Sequence, residues 1–114
     1  MSADATNGLE LIRRLYRRAD GLMTEAEAAL QGGDMEGARL PLLKAQEIVS
    51  ELLKALDFEK GGELAENLRR LYIFVWERLA LAGLQPGPDL AARSLGEARA
   101  VWTKLWAAWE EVGA

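Results

Sequence analysis

The chain has 114 residues, half of them apolar and 28% charged, with a formal net charge of −4. That length suits one domain around one core, residues 1–114, and the acidic balance argues against a phosphate-binding face. Cysteine and histidine are both absent, which excludes disulfides, thiolate chemistry, the commonest general base and the commonest transition-metal ligand. Zinc sites and Ser-His-Asp triads therefore cannot be assembled from this chain, and no cofactor or enzymatic activity is expected.

Three glycine or proline interruptions divide the chain into four helical segments. In the first, expected over about 8–31, Leu9, Ile12, Leu15, Tyr16, Ala19, Leu22, Met23, Ala26, Ala29 and Leu30 recur at spacings of three and four. That is a helical stripe and not a strand alternation. Asn7 with Glu10 resembles a capping pair, and Gly32-Gly33 ends the helix. Arg13, Arg14, Arg17 and Arg18 spread over a wide face that reads as solvated, with Glu10 and Asp20 near enough to pair in part.

The second segment, about 35–57, takes Asp34 as its cap and carries Leu42, Ala45, Val49, Leu52 and Leu56 on one stripe, with a kink expected at Pro41. Lys60-Gly61-Gly62 breaks the chain. The third helix, about 63–82, has a main stripe of Leu64, Leu68, Leu71, Val75 and Leu79 and a second of Ile73, Trp76 and Ala80. Such a helix either lies at the centre of the core or exposes a sticky face. Gln85-Pro86-Gly87-Pro88 is a linker. Asp89 is the expected cap of the fourth helix, about 89–112, with Leu95, Ala98, Val101, Leu105 and Val112 on one side. With no β-branched alternation anywhere, the fold expected is all-α, an antiparallel four-helix up-and-down bundle.

Trp102, Trp106 and Trp109 fall at i, i+4 and i+7 on the last helix, beside the Val101/Leu105 stripe. They either widen the core contact or form an aromatic patch that faces a partner. Ile73 and Trp76 pose the same choice on helix three, where an amphipathic peptide helix would fit a groove between bundle helices. The carboxylate pairs Glu47/Glu51 and Glu63/Glu66 fit solvent exposure, and without histidine they offer at most an oxygen-only metal site. Met1 to Gly8 is short and polar and no apolar run reaches spanning length, so a cytoplasmic protein without membrane insertion is expected, with no nucleic-acid partner.

One stretch is more particular. Lys44-Ala45-Gln46-Glu47-Ile48 leads through Leu56-Asp57-Phe58-Glu59-Lys60-Gly61-Gly62 into Leu64-Ala65-Glu66-Asn67-Leu68 and Arg69-Arg70-Leu71-Tyr72. It resembles the flagellar export chaperone family FliS, in which a KAQ-x-I helix, a Gly-Gly break and an IA-x-NL-x-x-LY helix follow in this order and spacing. Leu11-Ile12, Leu15-Tyr16, Ala19, Gly33-Asp34 and Val101-Trp102 extend the resemblance over nearly the whole chain. Departures are the few polar residues ahead of Asn7, Arg17-Arg18 in place of a small or acidic pair, and Gly83 where asparagine commonly follows alanine.

The resemblance implies a bundle that binds the disordered C-terminal segment of flagellin in apolar grooves, prevents its premature polymerisation and helps deliver it to the flagellar export gate. Tyr16, Gln46, Asn67, Leu68, Leu71 and Tyr72 are carried over as client-contact candidates, joined by Ile73, Trp76, Trp102 and Trp106 from the spare stripes. Leu68 and Leu71 fit a core role as well as a client-facing one. Asn67, expected amid apolar neighbours, would need hydrogen-bond partners that a client backbone supplies. The competing reading is a self-associating structural or adaptor bundle with a different client. The chain is expected to be a monomer or a weak homodimer.

Overall fold

A computed structural model describes the backbone of residues 2–113 and the side chains of residues 8–109. Its helices are α1 (Ser2–Gln31), α2 (Met35–Lys54), α3 (Phe58–Leu84) and α4 (Pro88–Gly113). Residues 32–34, 55–57 and 85–87 join them, connections too short for anything but antiparallel neighbours. Each helix packs on two others in the ring α1–α2–α3–α4–α1, the up-and-down bundle that the periodicity predicts. The principal extents are 48 × 24 × 20 Å, so the long axis is close to the length of a single 30-residue helix at about 1.5 Å per residue.

The turns explain themselves from their residues. Gly33 takes φ +76°, and around it Asp34 N donates to Ala29 O at 2.8 Å and Gly33 N to Leu30 O at 3.0 Å. That pairing is the Schellman closure of α1, which a glycine adopts without steric penalty. Asp34 then caps α2 as expected, its Oδ1 accepting from Gly37 N at 2.8 Å. α2 runs uninterrupted through Pro41. The carbonyl that loses its donor there belongs to Gly37, an exposed residue that water can reach.

Six helix ends differ from expectation: α3 runs on through Gly83 to Leu84 and α4 to Gly113, and four others shift for reasons of capping or start. α1 begins at Ser2, so Asn7 lies within it and is not its cap; the Asn7 side chain, like that of Val112, is outside the described residues. α2 stops at Lys54 because Asp57 turns to cap the next element, its Oδ1 accepting from Glu59 N and Lys60 N at 3.1 Å each. α3 therefore starts at Phe58 and not at Glu63, as a single turn ahead of a break at Gly62 (φ +52°, ψ −124°). α4 starts at Pro88, which suits a first helical position because it has no amide proton to leave unpaired; Asp89 sits in the first turn and is not the cap.

The core runs from Leu30, Ala38, Leu42, Leu79, Ala82 and Leu95 at one end to Tyr16, Tyr72, Trp102 and Leu105 towards the other. Two expected stripes are rotated. In α3 the buried positions are Ala65, Tyr72, Val75, Leu79 and Ala82, while Leu64 and Leu71 face outward. In α4 Trp102 takes its place on the core line with Leu95, Ala98 and Leu105, and Val101 moves to the flank. Among the described residues no helix is long and apolar enough to cross a membrane.

Gly62→Ala is expected to destabilise the bundle by roughly 1–3 kcal/mol, because a side chain is strained at that backbone conformation although nothing crowds it. Gly21→Ala, at an exposed helical position with open space around it, should stabilise by about 0.5–1 kcal/mol. Urea midpoints of the two variants against the unchanged chain check both signs.

Candidate binding surfaces

An aromatic hub organises one half of the bundle. Tyr16 of α1 and Tyr72 of α3 face each other across the core with their hydroxyl oxygens 2.6 Å apart. Trp109 of α4 donates from Nε1 to Tyr16 Oη at 3.0 Å, and Trp102 of α4 donates from Nε1 to the Tyr16 carbonyl at 3.4 Å. The Tyr16 and Trp102 rings stack with centroids 4.3 Å apart. Tyr16, Tyr72 and Trp102 are no more than 2% exposed, so their polar atoms rely on one another and not on water. Burial, first of all, pushes the Tyr72 hydroxyl pKa above its ordinary value. It does the same to Tyr16, where the charge and hydrogen bond of Tyr72 push further and only Trp109 opposes.

Apolar surface remains outside this core. Between α2 and α3 lies a groove of about 290 Å³ lined by Arg39, Leu42, Leu43, Gln46, Leu79, Ala80, Gly83 and Leu84. Leu43 and Leu84 on its walls are 56% and 81% exposed, and Leu40 stands exposed on the same helix as Leu43. Ala80 and Gly83 are small, which leaves the groove floor open. Helical spacing puts Trp76, exposed, on the same side of α3 as Ala80 and Gly83.

A second cavity, about 310 Å³ and almost wholly apolar, opens where the α2–α3 connection meets α1 and α4; Ile12, Leu52, Leu56, Leu64, Leu68, Tyr72 and Trp109 help to line it. The α1/α4 furrow, about 230 Å³, is formed by Tyr16, Arg17, Asp20, Trp102, Thr103 and Trp106, with the Arg17 guanidinium 5.8 Å from the Trp106 ring centroid. The α1/α2 furrow is larger, about 490 Å³, but Arg18, Lys44, Glu47, Glu51 and Lys54 line it, and charges of both signs keep it hydrated.

The candidate contact residues thus divide by position. Gln46 is half-buried in the α2/α3 groove, and Trp76 lies on the same side of α3 as its small floor residues. Leu68 and Tyr72 line the end cavity. Trp106 walls the α1/α4 furrow over buried Trp102 and Tyr16. Ile73 is half-buried on α3 and Leu71 is exposed. Asn67 is exposed, not enclosed by apolar neighbours, and its Oδ1 accepts from Arg70 Nη1 at 3.4 Å. Leu43 and Leu84 on the walls of the first groove, and exposed Leu40 on the same helix as Leu43, lie off the expected stripes. Their signal was only that large leucines occur where a solvated helix face would carry charge.

Elsewhere ion pairs tie the ring together. Arg99 of α4 reaches Asp20 and Glu27 of α1, each at 3.3 Å, and Arg78 of α3 pairs with Glu97 of α4 at 3.6 Å. Arg14 pairs with Glu10 at 3.7 Å on the basic face of α1.

A family model described as flagellar protein FliS matches residues 1–114. The flagellar secretion chaperone FliS of Salmonella typhimurium is 34% identical over 104 residues, covering 90% of this chain and 74% of that one. That of Campylobacter jejuni is 33% identical over 103 residues, covering 90% and 77%. The flagellar secretion chaperone FliSB of Pseudomonas aeruginosa is 30% identical over 106 residues, covering 93% and 81%.

The hub makes a pH prediction. A hydroxyl whose pKa is raised by folding stabilises fully below the unfolded tyrosine value of 10.0. That stability is lost as pH rises beyond it. Unfolding free energies from denaturant titrations should be unaffected by these two groups from pH 7 to about 9 and should then fall, by up to about 1.4 kcal/mol per pH unit for each tyrosine. Tyr16→Phe should flatten the alkaline limb relative to the unchanged chain.

Proposed function

This chain belongs to the FliS family and serves flagellar export as a chaperone; on that premise we propose that its client is the disordered C-terminal segment of flagellin, held as an amphipathic helix in the α2/α3 groove. The protein would act in the cytoplasm, before the client reaches the export gate, by binding alone and without a chemical step. The observation that carries this reading is the uncovered pair Leu43 and Leu84 on the groove walls beside the small floor residues Ala80 and Gly83. A helix whose apolar residues recur at i, i+3, i+4 and i+7 would seat them between these leucines. The apolar face so covered is one that flagellin subunits would otherwise be free to bury in one another.

Titration calorimetry with a synthetic peptide of the flagellin C-terminal segment should show one-to-one binding. Leu43→Glu and Leu84→Glu should each weaken it tenfold or more, since a charge placed in a covered apolar contact costs at least about 1.4 kcal/mol. Thermal midpoints should stay within a few degrees of the unchanged chain because both side chains are exposed. Tryptophan emission should shift to the blue on peptide addition, and Trp76→Phe should remove much of that shift. No heat with the unchanged chain, or variants that bind as tightly as it does, would count against the groove.

A further inference from the structure

The arginine ridge of α1 takes no part in the groove between α2 and α3. Its four side chains form two lines, each one turn long. Arg13 and Arg17 run on the α4 side, where Arg17 walls the α1/α4 furrow; Arg14 and Arg18 run on the α2 side, where Arg18 walls the α1/α2 furrow. Arg14, Arg17 and Arg18 are exposed and Arg13 is half-buried. Like charges at i and i+4 work against a helix, and each line is such a pair.

The carboxylates at hand do little to offset this. Asp20, in the furrow beside Arg17, is held by Arg99 at 3.3 Å. Of Glu47 and Glu51, in the furrow beside Arg18, the second is held by Lys54 at 3.6 Å. Among the described residues none of these three comes within ion-pair distance of Arg17 or Arg18. Arg14 has Glu10 at 3.7 Å while 74% of its own side chain stays exposed, a pair that a better acceptor can replace.

The ridge is also short. From Arg13 to Arg18 it spans about 8 Å at 1.5 Å per residue, and Glu10 precedes it while Asp20 and Glu25 follow. A nucleic-acid duplex carries a charge about every 1.7 Å of its axis, so it would run past the arginines onto these carboxylates, as would an anionic lipid surface. One or two turns of an acidic helix end where the ridge ends. Apolar surface accompanies the charge: Leu11 is exposed one turn before Arg14 on the same line. The Arg17 guanidinium already rests 5.8 Å from the Trp106 ring centroid, so less of its freedom is lost when a carboxylate arrives. Gly21, the next outward position, has open space around it and holds no partner off.

We propose that the outward face of α1 from Leu11 to Arg18 docks a short acidic helix of a second protein. Carboxylates at i, i+3 or i+4 of that helix meet Arg14, Arg17 and Arg18, and a large apolar residue beside them covers Leu11. This goes beyond the flagellin reading and does not depend on it. In the ring α1 stands diagonal to α3, so the ridge and the α2/α3 groove lie on different sides of the bundle and can be filled together.

The test uses the full chain and a fluorescein-labelled synthetic helix of about 16 residues, long enough to hold its shape. The probe has glutamates at i, i+3, i+4 and i+7 and one leucine beside them; its counterpart has glutamine at every glutamate. Fluorescence anisotropy should show the glutamate probe binding at least tenfold more tightly than its counterpart, with Kd rising as salt is added. Arg17→Gln and Arg18→Gln should each weaken it about threefold to fivefold, the worth of an exposed ion pair. Arg93→Gln, an equal change of charge at an exposed site on α4, should leave Kd unchanged. Arg17→Lys should restore only part of the loss, because an ammonium cannot grip a carboxylate with two parallel bonds. All these side chains are exposed, so thermal midpoints should stay put and folding is not at issue. A photo-crosslinking residue at Leu11 should capture the probe. Equal binding of the two probes, an Arg93→Gln loss as large as that of Arg17→Gln, or no capture at Leu11 overturns the inference. Tighter binding to phosphatidylglycerol vesicles or to a duplex DNA oligonucleotide than to the glutamate probe overturns it too, since the ridge would then face a membrane or a nucleic acid.

Discussion

The contact between Tyr16 and Tyr72 constrains the rest of the molecule. It joins α1 to α3, helices that are not neighbours in the ring, through hydroxyls 2.6 Å apart. Apolar packing tolerates a helix turning by some tens of degrees about its axis, since one branched side chain can replace another in the same space. A buried hydroxyl pair does not, because a turn that separates the oxygens strands both without water. Trp102 and Trp109 extend the same demand to α4, the first through the Tyr16 carbonyl and the second through its hydroxyl. Three of the four helices thereby have their rotation set at one level of the bundle, and α2 is held between two of them.

That constraint accounts for what the sequence revealed and what it concealed. Four helices, their order and their turns follow from local chemistry, from Gly33, Asp34 and Pro88 as much as from the apolar period. Helices α1 and α2 carry one stripe each, and most of each stripe is buried: Tyr16, Ala19, Leu22, Met23, Ala26 and Leu30 in α1, and Leu42, Ala45, Val49 and Leu52 in α2, with Leu9, Ile12, Leu15, Ala29 and Leu56 half-buried beside them. α3 offers two readings separated by one residue, Leu64–Leu68–Leu71 or Ala65–Leu68–Tyr72. Hydrophobicity favours the first, but the second brings Tyr72 to Tyr16 and is the one adopted. Likewise Trp102 is core and Val101 is flank because the indole finds the Tyr16 carbonyl and ring. A pairing between residues so distant in the chain leaves no trace in any local window. The early start of α3 was hidden for a different reason: Gly61-Gly62 reads as a boundary, while the cap that sets the boundary is Asp57. Gln46 and Trp76 were legible as candidates for the groove side, but Leu40, Leu43 and Leu84 were not, since a period-based reading assigns no role to an apolar residue off the stripe.

The amount of surface left over follows from the composition of the interior. Alanine supplies more of the buried positions than any other residue, with leucine next. Alanines at facing positions let helix axes approach closely, and a narrow core then has no volume for the larger side chains on its borders. Leu43 and Leu84 remain outside, exposed on the walls of the α2/α3 groove. The borders that they line are grooves and not ridges because Ala80 and Gly83 stand between them. A wider, leucine-filled interior would have drawn some of these residues in and closed the groove that the client reading requires.

Such a groove favours a hold that can be released. Burying a leucine fully is worth about 1.5–3 kcal/mol. Leu43 and Leu84 have 56% and 81% of their surface still to cover, so each falls short of the full value. Several contacts of this size must exceed the roughly 2–5 kcal/mol lost when a disordered segment is ordered, together with the loss of free translation. The surplus is modest, and it disappears in steps as contacts are peeled away one at a time. The groove walls belong to α2 and α3, helices already packed on each other and on their other neighbours, so the host adds little ordering penalty of its own. Most of the entropy lost on binding then belongs to the guest, and unbinding regains it without any rearrangement of the bundle.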